Sequence, residues 1–112
     1  MSYDEALVKR VRRALEGQGN VEERRMFGGL TFMLDGKMCC GVDKGQLMVR
    51  VLPERQHEFL KKPHAKPMDF TGRPMKGFLF IERAGVSDAK GLNWWLKQAV
   101  TYVRTNTKAR RR

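Results

Sequence analysis

Residues 25–51 read RMFGGLTFMLDGKMCCGVDKGQLMVRV, short alternating apolar runs separated by glycine-bearing turns. Alternation with period two is the mark of a strand with one buried face. Val21 to Phe27 fits a first strand, Gly28-Gly29 a bend or bulge, and Leu30, Phe32 and Leu34 alternate with Thr31, Met33 and Asp35. Asp35-Gly36 is a two-residue hairpin signal, because both central positions of a type I′ turn need positive φ. Met38, Cys40 and Val42 continue one face. The Asp43-Lys44-Gly45 turn then leads to Leu47, Val49 and Val51. The pattern predicts four consecutive antiparallel strands and contains no catalytic constellation.

Upstream, Ser2 and Glu5 match a capping box. Leu7, Val8, Val11, Ala14 and Leu15 form one stripe of an amphipathic helix, with Lys9, Arg10, Arg12, Arg13 and Glu16 opposite. Gly17 and Gly19 supply the stop. Downstream, Pro53 suits the first turn of a short helix that carries Phe59 and Leu60 and ends before Pro63. The proline-rich stretch from Pro63 to Pro74 predicts an ordered but irregular crossing, and Gly77 to Arg83 a fifth strand. Ser87 or Asp88 can cap a last helix whose Leu92, Trp95, Leu96, Ala99 and Val103 fall within one arc. The tail TNTKARRR has Ala109 as its sole apolar residue and is expected to fray.

A chain of 112 residues supports one core. No apolar run approaches the roughly 20 residues of a membrane helix, so no membrane partner is expected. The opening MSYDEALVKRVRR breaks up any signal-peptide apolar stretch, which places the protein in the cytoplasm. Cys39 and Cys40 are the two cysteines; neighbours on a regular strand point to opposite faces, so a bridge between them is not expected. The net charge is +11, and Val86 to Arg112 holds seven basic residues against one acidic. Such a field attracts polyanions, nucleic acid first.

Several of these elements, in this order, resemble the TfoX N-terminal domain family, named for a bacterial regulator of natural competence. They are Met26-Phe27-Gly28-Gly29 after the first helix, the hairpin residue Gly36, Leu47 to Val49, Phe70, and Asp88 with Leu92 opening the last helix. The resemblance spans about residues 3 to 103. It implies a two-layer α+β domain similar to secretion-chaperone-like folds, an antiparallel sheet of about five strands packed by N- and C-terminal helices. It implies a regulatory or protein-binding role and no reaction. The competence regulators carry a second, helical domain that this sequence lacks, so a stand-alone adaptor is the expectation. The domain is expected over residues 1–105, with 106–112 a basic disordered tail.

Candidate sites follow from residue chemistry. Arg104, Lys108, Arg110, Arg111 and Arg112 form the densest basic cluster, either a solvated end or a contact for phosphates. There is no zinc-finger spacing and no RRM signature, so nucleic-acid binding would be indifferent to sequence. Trp94 sits about 160° from the centre of the buried arc. It either anchors a partner or lies against the crossing. Phe70 and Arg73 could join a partner surface or line a small-ligand groove, or Phe70 could plug the sheet edge. Cys39, Cys40, His57 and His64 are the soft ligands an enzyme-class rival would use, but adjacent cysteines lack the spacing of a zinc pair. The reading is therefore a non-enzymatic regulator or adaptor without cofactor or metal, with an unidentified protein partner or a second copy of itself as a homodimer. The alternative is a nonspecific nucleic-acid-binding accessory protein.

Overall fold

The computed structural model describes residues 4–26, 29–69 and 74–110. Phe27, Gly28, Phe70, Arg73, Arg111 and Arg112 lie outside the described residues. The element order is α1 (Glu5–Leu15), β1 (Val21–Met26), β2 (Gly29–Leu34), β3 (Lys37–Asp43), β4 (Gln46–Arg50), α2 (Gln56–Leu60), β5 (Ala65–Asp69), β6 (Pro74–Ile81) and α3 (Ala89–Arg110). This is an α+β domain.

The hairpin reading of β1 to β4 holds. Asp35 and Gly36 both take positive φ, 53° and 82°, as a type I′ turn requires. Lys44, at φ 57°, turns β3 into β4. The sheet, however, has six strands in the order β1-β2-β3-β4-β6-β5, every pair antiparallel. The irregular crossing expected from Pro63 to Pro74 contains the sixth, β5, at the sheet edge. Proline lacks a ladder donor and is tolerated on such an edge strand, so Pro67 does not stop β5 from pairing with β6.

Two further expectations are corrected. The cap of α1 is Asp4, whose Oδ1 accepts from the Ala6 and Leu7 amides at 2.9 and 3.2 Å, and Ser2 lies outside the described residues. The carboxylate satisfies donors that the first helical turn leaves free. Its other oxygen takes Arg83 Nη2 at 3.0 Å. The neighbouring cysteines do not diverge either. Between β2 and β3 the register steps from Phe32↔Cys40 to Met33↔Met38, leaving Cys39 as an extra residue. That bulge turns Cys39 and Cys40 into the same core cluster, while Met38 joins the opposite face.

All three helices contribute to the cluster on one face of the sheet. Leu7, Val8, Val11 and Leu15 of α1, Phe59 of α2, and Leu92, Trp95, Leu96, Ala99 and Val103 of α3 pack with Phe32, Leu34, Leu47, Val49, Leu79 and Ile81. The opposite face holds a smaller cluster made of strand side chains, Met38, Met48 and Phe80 with Met33 and Phe78 beside them. The last helix continues through Arg110, into the segment expected to be tail.

Candidate functional site: an aromatic corner and a basic groove

The apolar arc of α3 is buried as its spacing predicts, and Asp88 caps the helix through Oδ1, which accepts from the Gly91 amide at 2.8 Å. The same winding carries Trp94 away from the sheet. Among the described residues it is the large apolar side chain left exposed, at 37%. It stands edge-on to Trp95, with ring centroids 4.8 Å apart, and to Phe59 of α2 at 5.9 Å. Phe59 in turn meets Trp95 at 5.9 Å. Lys62 Nζ lies 4.8 Å from the centre of the Trp94 ring, and the Arg55 guanidinium 4.7 Å from that of Phe59. Each cation is drawn to the negative face of the ring beneath it. The corner opens into a shallow cavity bounded by Pro63, His64, Gly85 and Lys90 as well. Trp94 is thus propped by α2 and by the residues that lead into β5, with a third of its surface facing solvent.

A second feature lies where α1 and α3 run side by side. Lys9, Arg10, Arg13 and Ala14 of α1 face Ala89, Leu92 and Asn93, and further along Ala14, Leu15 and Gln18 face Asn93, Leu96, Lys97, Val100, Thr101 and Arg104. The two cavities, about 390 and 340 Å³, share Ala14 and Asn93 and form one groove with an apolar floor and basic walls. Arg104 is fixed there by donating to Gln18 Oε1 at 2.8 Å. It therefore belongs to this groove, and the side chains of Lys108 and Arg110 are outside what is described.

The thiols offer no reactive centre. Cys39 and Cys40 are both fully enclosed. The hydrogen bond with the Cys39 thiol, followed by burial, pushes Cys40 well above the ordinary thiol range. A thiol held protonated in an apolar setting is a poor nucleophile and a poor metal ligand. His57 and His64 are exposed, on α2 and at the entry to β5. Among the described residues no three metal-ligating side chains come together, and no helix is long and apolar enough to cross a membrane.

Gly29, at the start of β2, has a structural explanation. A Cβ on Gly29 would overlap the carbonyl oxygen of Val42 and stand 3.1 Å from Asp43 Cα. The paired strand β3 passes too close for any side chain there. Against known families, the profile of the TfoX N-terminal domain matches residues 13–103, from the second half of α1 into the last turns of α3. The chain belongs to the TfoX N-terminal domain family. This is a regulatory domain family associated with competence regulation. A search among curated proteins gives no match.

Within the TfoX N-terminal match, Gly29, Gly36, Asp88 and Leu92 each have a place in turn, close approach, cap or core. Met26 ends β1, opposite Gly29. Phe27, Gly28, Phe70 and Arg73 fall outside the described residues. Helical periodicity already pointed to Trp94. The groove was not legible, because Lys9, Arg10 and Arg13 read from sequence as the solvent side of an isolated helix; only the contact of α1 with α3 sets them beside Ala89, Leu92 and Asn93, in line with Lys97 further along.

Proposed function

We propose that this TfoX N-terminal domain is a non-enzymatic regulatory adaptor that binds a protein partner at the aromatic corner of α2 and α3. The observation that carries the reading is Trp94, a large ring left partly in water and packed edge-on against Phe59 and Trp95. Burying such a ring against a partner supplies hydrophobic stabilisation with little side-chain entropy left to lose, which is why tryptophan is frequent among interface anchors. Lys62 and Lys90 at the rim outnumber the carboxylate of Asp88, which is engaged as the cap of α3, and so favour a partner surface with acidic groups around an apolar pocket. The enclosed thiols and the dispersed histidines favour binding over chemistry.

The test is affinity capture from nuclease-treated lysate with wild-type and Trp94→Ala baits, each checked by thermal melting. A protein captured stoichiometrically by the first and lost from the second supports the adaptor reading, whether that protein is a different chain or a second copy of this one. Identical capture by both baits rejects it.

A further inference from the structure

We propose that the α1–α3 groove binds the phosphodiester backbone of duplex DNA, independently of the base sequence and of the Trp94 corner. The cationic walls come from both helices: Lys9, Arg10 and Arg13 on one side, Lys97 and Arg104 on the other. Lys97 and Arg104 are seven residues apart and therefore only about 20° apart around α3. No described carboxylate lines either section of the groove. Lys9, Arg10, Arg13 and Lys97 have no carboxylate partner within ion-pair distance among the described residues. This contrasts with Arg12, one position away, which Glu23 holds at 2.5 and 2.8 Å. Lys9, Arg10 and Arg13 thus border α3, with Lys9 also reaching the cavity where Glu23 holds Arg12 and Arg10 the one beside Asp4 and Arg83.

The length fits a backbone. From Ala89 to Arg104 the helix rises about 22 Å, long enough to lie along several successive phosphates of one strand, whose rise along the duplex axis is about 3.4 Å per nucleotide. Asn93, Thr101 and Gln18 add neutral hydrogen-bonding groups to the walls, of the kind that commonly contact phosphate and sugar. The floor, formed by Leu15, Leu92, Leu96 and Val100, is itself buried between the helices, and walls of cations without a carboxylate favour a polyanion over an amphipathic peptide. Single strands are disfavoured, since no aromatic side chain lines the groove as a stacking platform. Trp94 projects from α3 about 100° around the helix from Asn93, so the two surfaces do not overlap.

Four phosphates neutralised by Lys9, Arg10, Arg13 and Lys97 predict a log-log salt slope contribution of about −3.6, or a loss of about 150-fold in affinity between 50 and 200 mM salt. The experiment is fluorescence anisotropy with a labelled 20-base-pair duplex and a single strand of equal length, across that salt range. It uses three full-length proteins: wild type, a groove variant (Lys9→Gln, Arg10→Gln, Arg13→Gln, Lys97→Gln) and a tail variant (Lys108→Gln, Arg110→Gln, Arg111→Gln, Arg112→Gln). All four groove positions are at the surface, and thermal melting verifies the fold. The expected result is duplex binding whose slope falls by about 3.6 in the groove variant, with the groove share intact in the tail variant and in Trp94→Ala. The proposal is overturned by no duplex binding at 50 mM salt, by an unchanged slope in the groove variant, or by preference for the single strand.

Discussion

Replacing Gly29 and Gly36 separates two reasons why a family motif contains glycine. At Gly29 the backbone is ordinary but the space is closed: a Cβ would meet the Val42 carbonyl and the Asp43 Cα, both main-chain atoms of the paired strand. No flexible side chain can give way, so Gly29→Ala must part β2 from β3. Overpacking costs about 1–3 kcal/mol, and one weakened ladder hydrogen bond adds about 1, for a total of about 2–4 kcal/mol. At Gly36 the space is open but φ is 82°. Gly36→Ala costs about 1 kcal/mol, a left-handed penalty of about 1–2 partly offset by a stiffer unfolded chain. Asparagine tolerates that region, so Gly36→Asn recovers most of the loss and Gly29→Asn recovers none. Urea denaturation of the variants, with m unchanged, measures these differences. A Gly29→Ala protein within about 0.5 kcal/mol of wild type, against the 1–3 expected for overpacking, refutes the close-approach argument. So does a Gly36→Asn protein as unstable as Gly29→Ala.

Three other predictions use the same kind of measurement. Asp4→Ala removes the cap of α1 and costs about 1 kcal/mol, whereas Asp4→Asn keeps the cap and loses mainly a pair with the exposed Arg83, and so stays within about 0.5 kcal/mol of wild type; equal losses would assign the effect to the ion pair. Both thiols are expected to be unreactive toward an aromatic disulfide reagent in the native state and to react together on unfolding, because Cys39 and Cys40 share one sealed cluster; fast labelling of one thiol in native buffer contradicts the bulge geometry. The Arg12 guanidinium holds the Glu23 carboxyl below its ordinary 4.5, so its contribution is complete above that value and is lost as pH falls through the lower folded value. The stability difference between wild type and Glu23→Gln therefore shrinks below pH 4.5, and a gap that widens on acidification reverses the sign of the argument.

Where local chemistry decides structure, the chain was readable. Asp35-Gly36 specifies its own turn, the alternation of Leu30, Phe32 and Leu34 specifies a buried face, and the arc of α3 specifies which residues meet the sheet. What escaped depended on partners distant in sequence. Pro67 marks an irregular segment until β6 is seen to offer an edge. Cys39 looks outward until Phe32 pairs with Cys40 and leaves it over. The cap of α1 is Asp4, whose Oδ1 accepts from the Ala6 and Leu7 amides while its other oxygen reaches Arg83, 79 positions away. Charge counting directed attention to the C-terminal tail, whereas the described cations that converge do so between the first and last helices.

Binding at the aromatic corner is tested most directly with the purified captured partner. Trp94 and Trp95 are the two tryptophans of the chain, so a titration followed by their fluorescence reports from the corner itself. A hot-spot ring contributes about 2 kcal/mol or more, which predicts that Trp94→Ala weakens Kd by about 30-fold or more with the fold intact. A Kd unchanged within twofold, with no fluorescence change on saturation of the wild-type protein, would contradict the account.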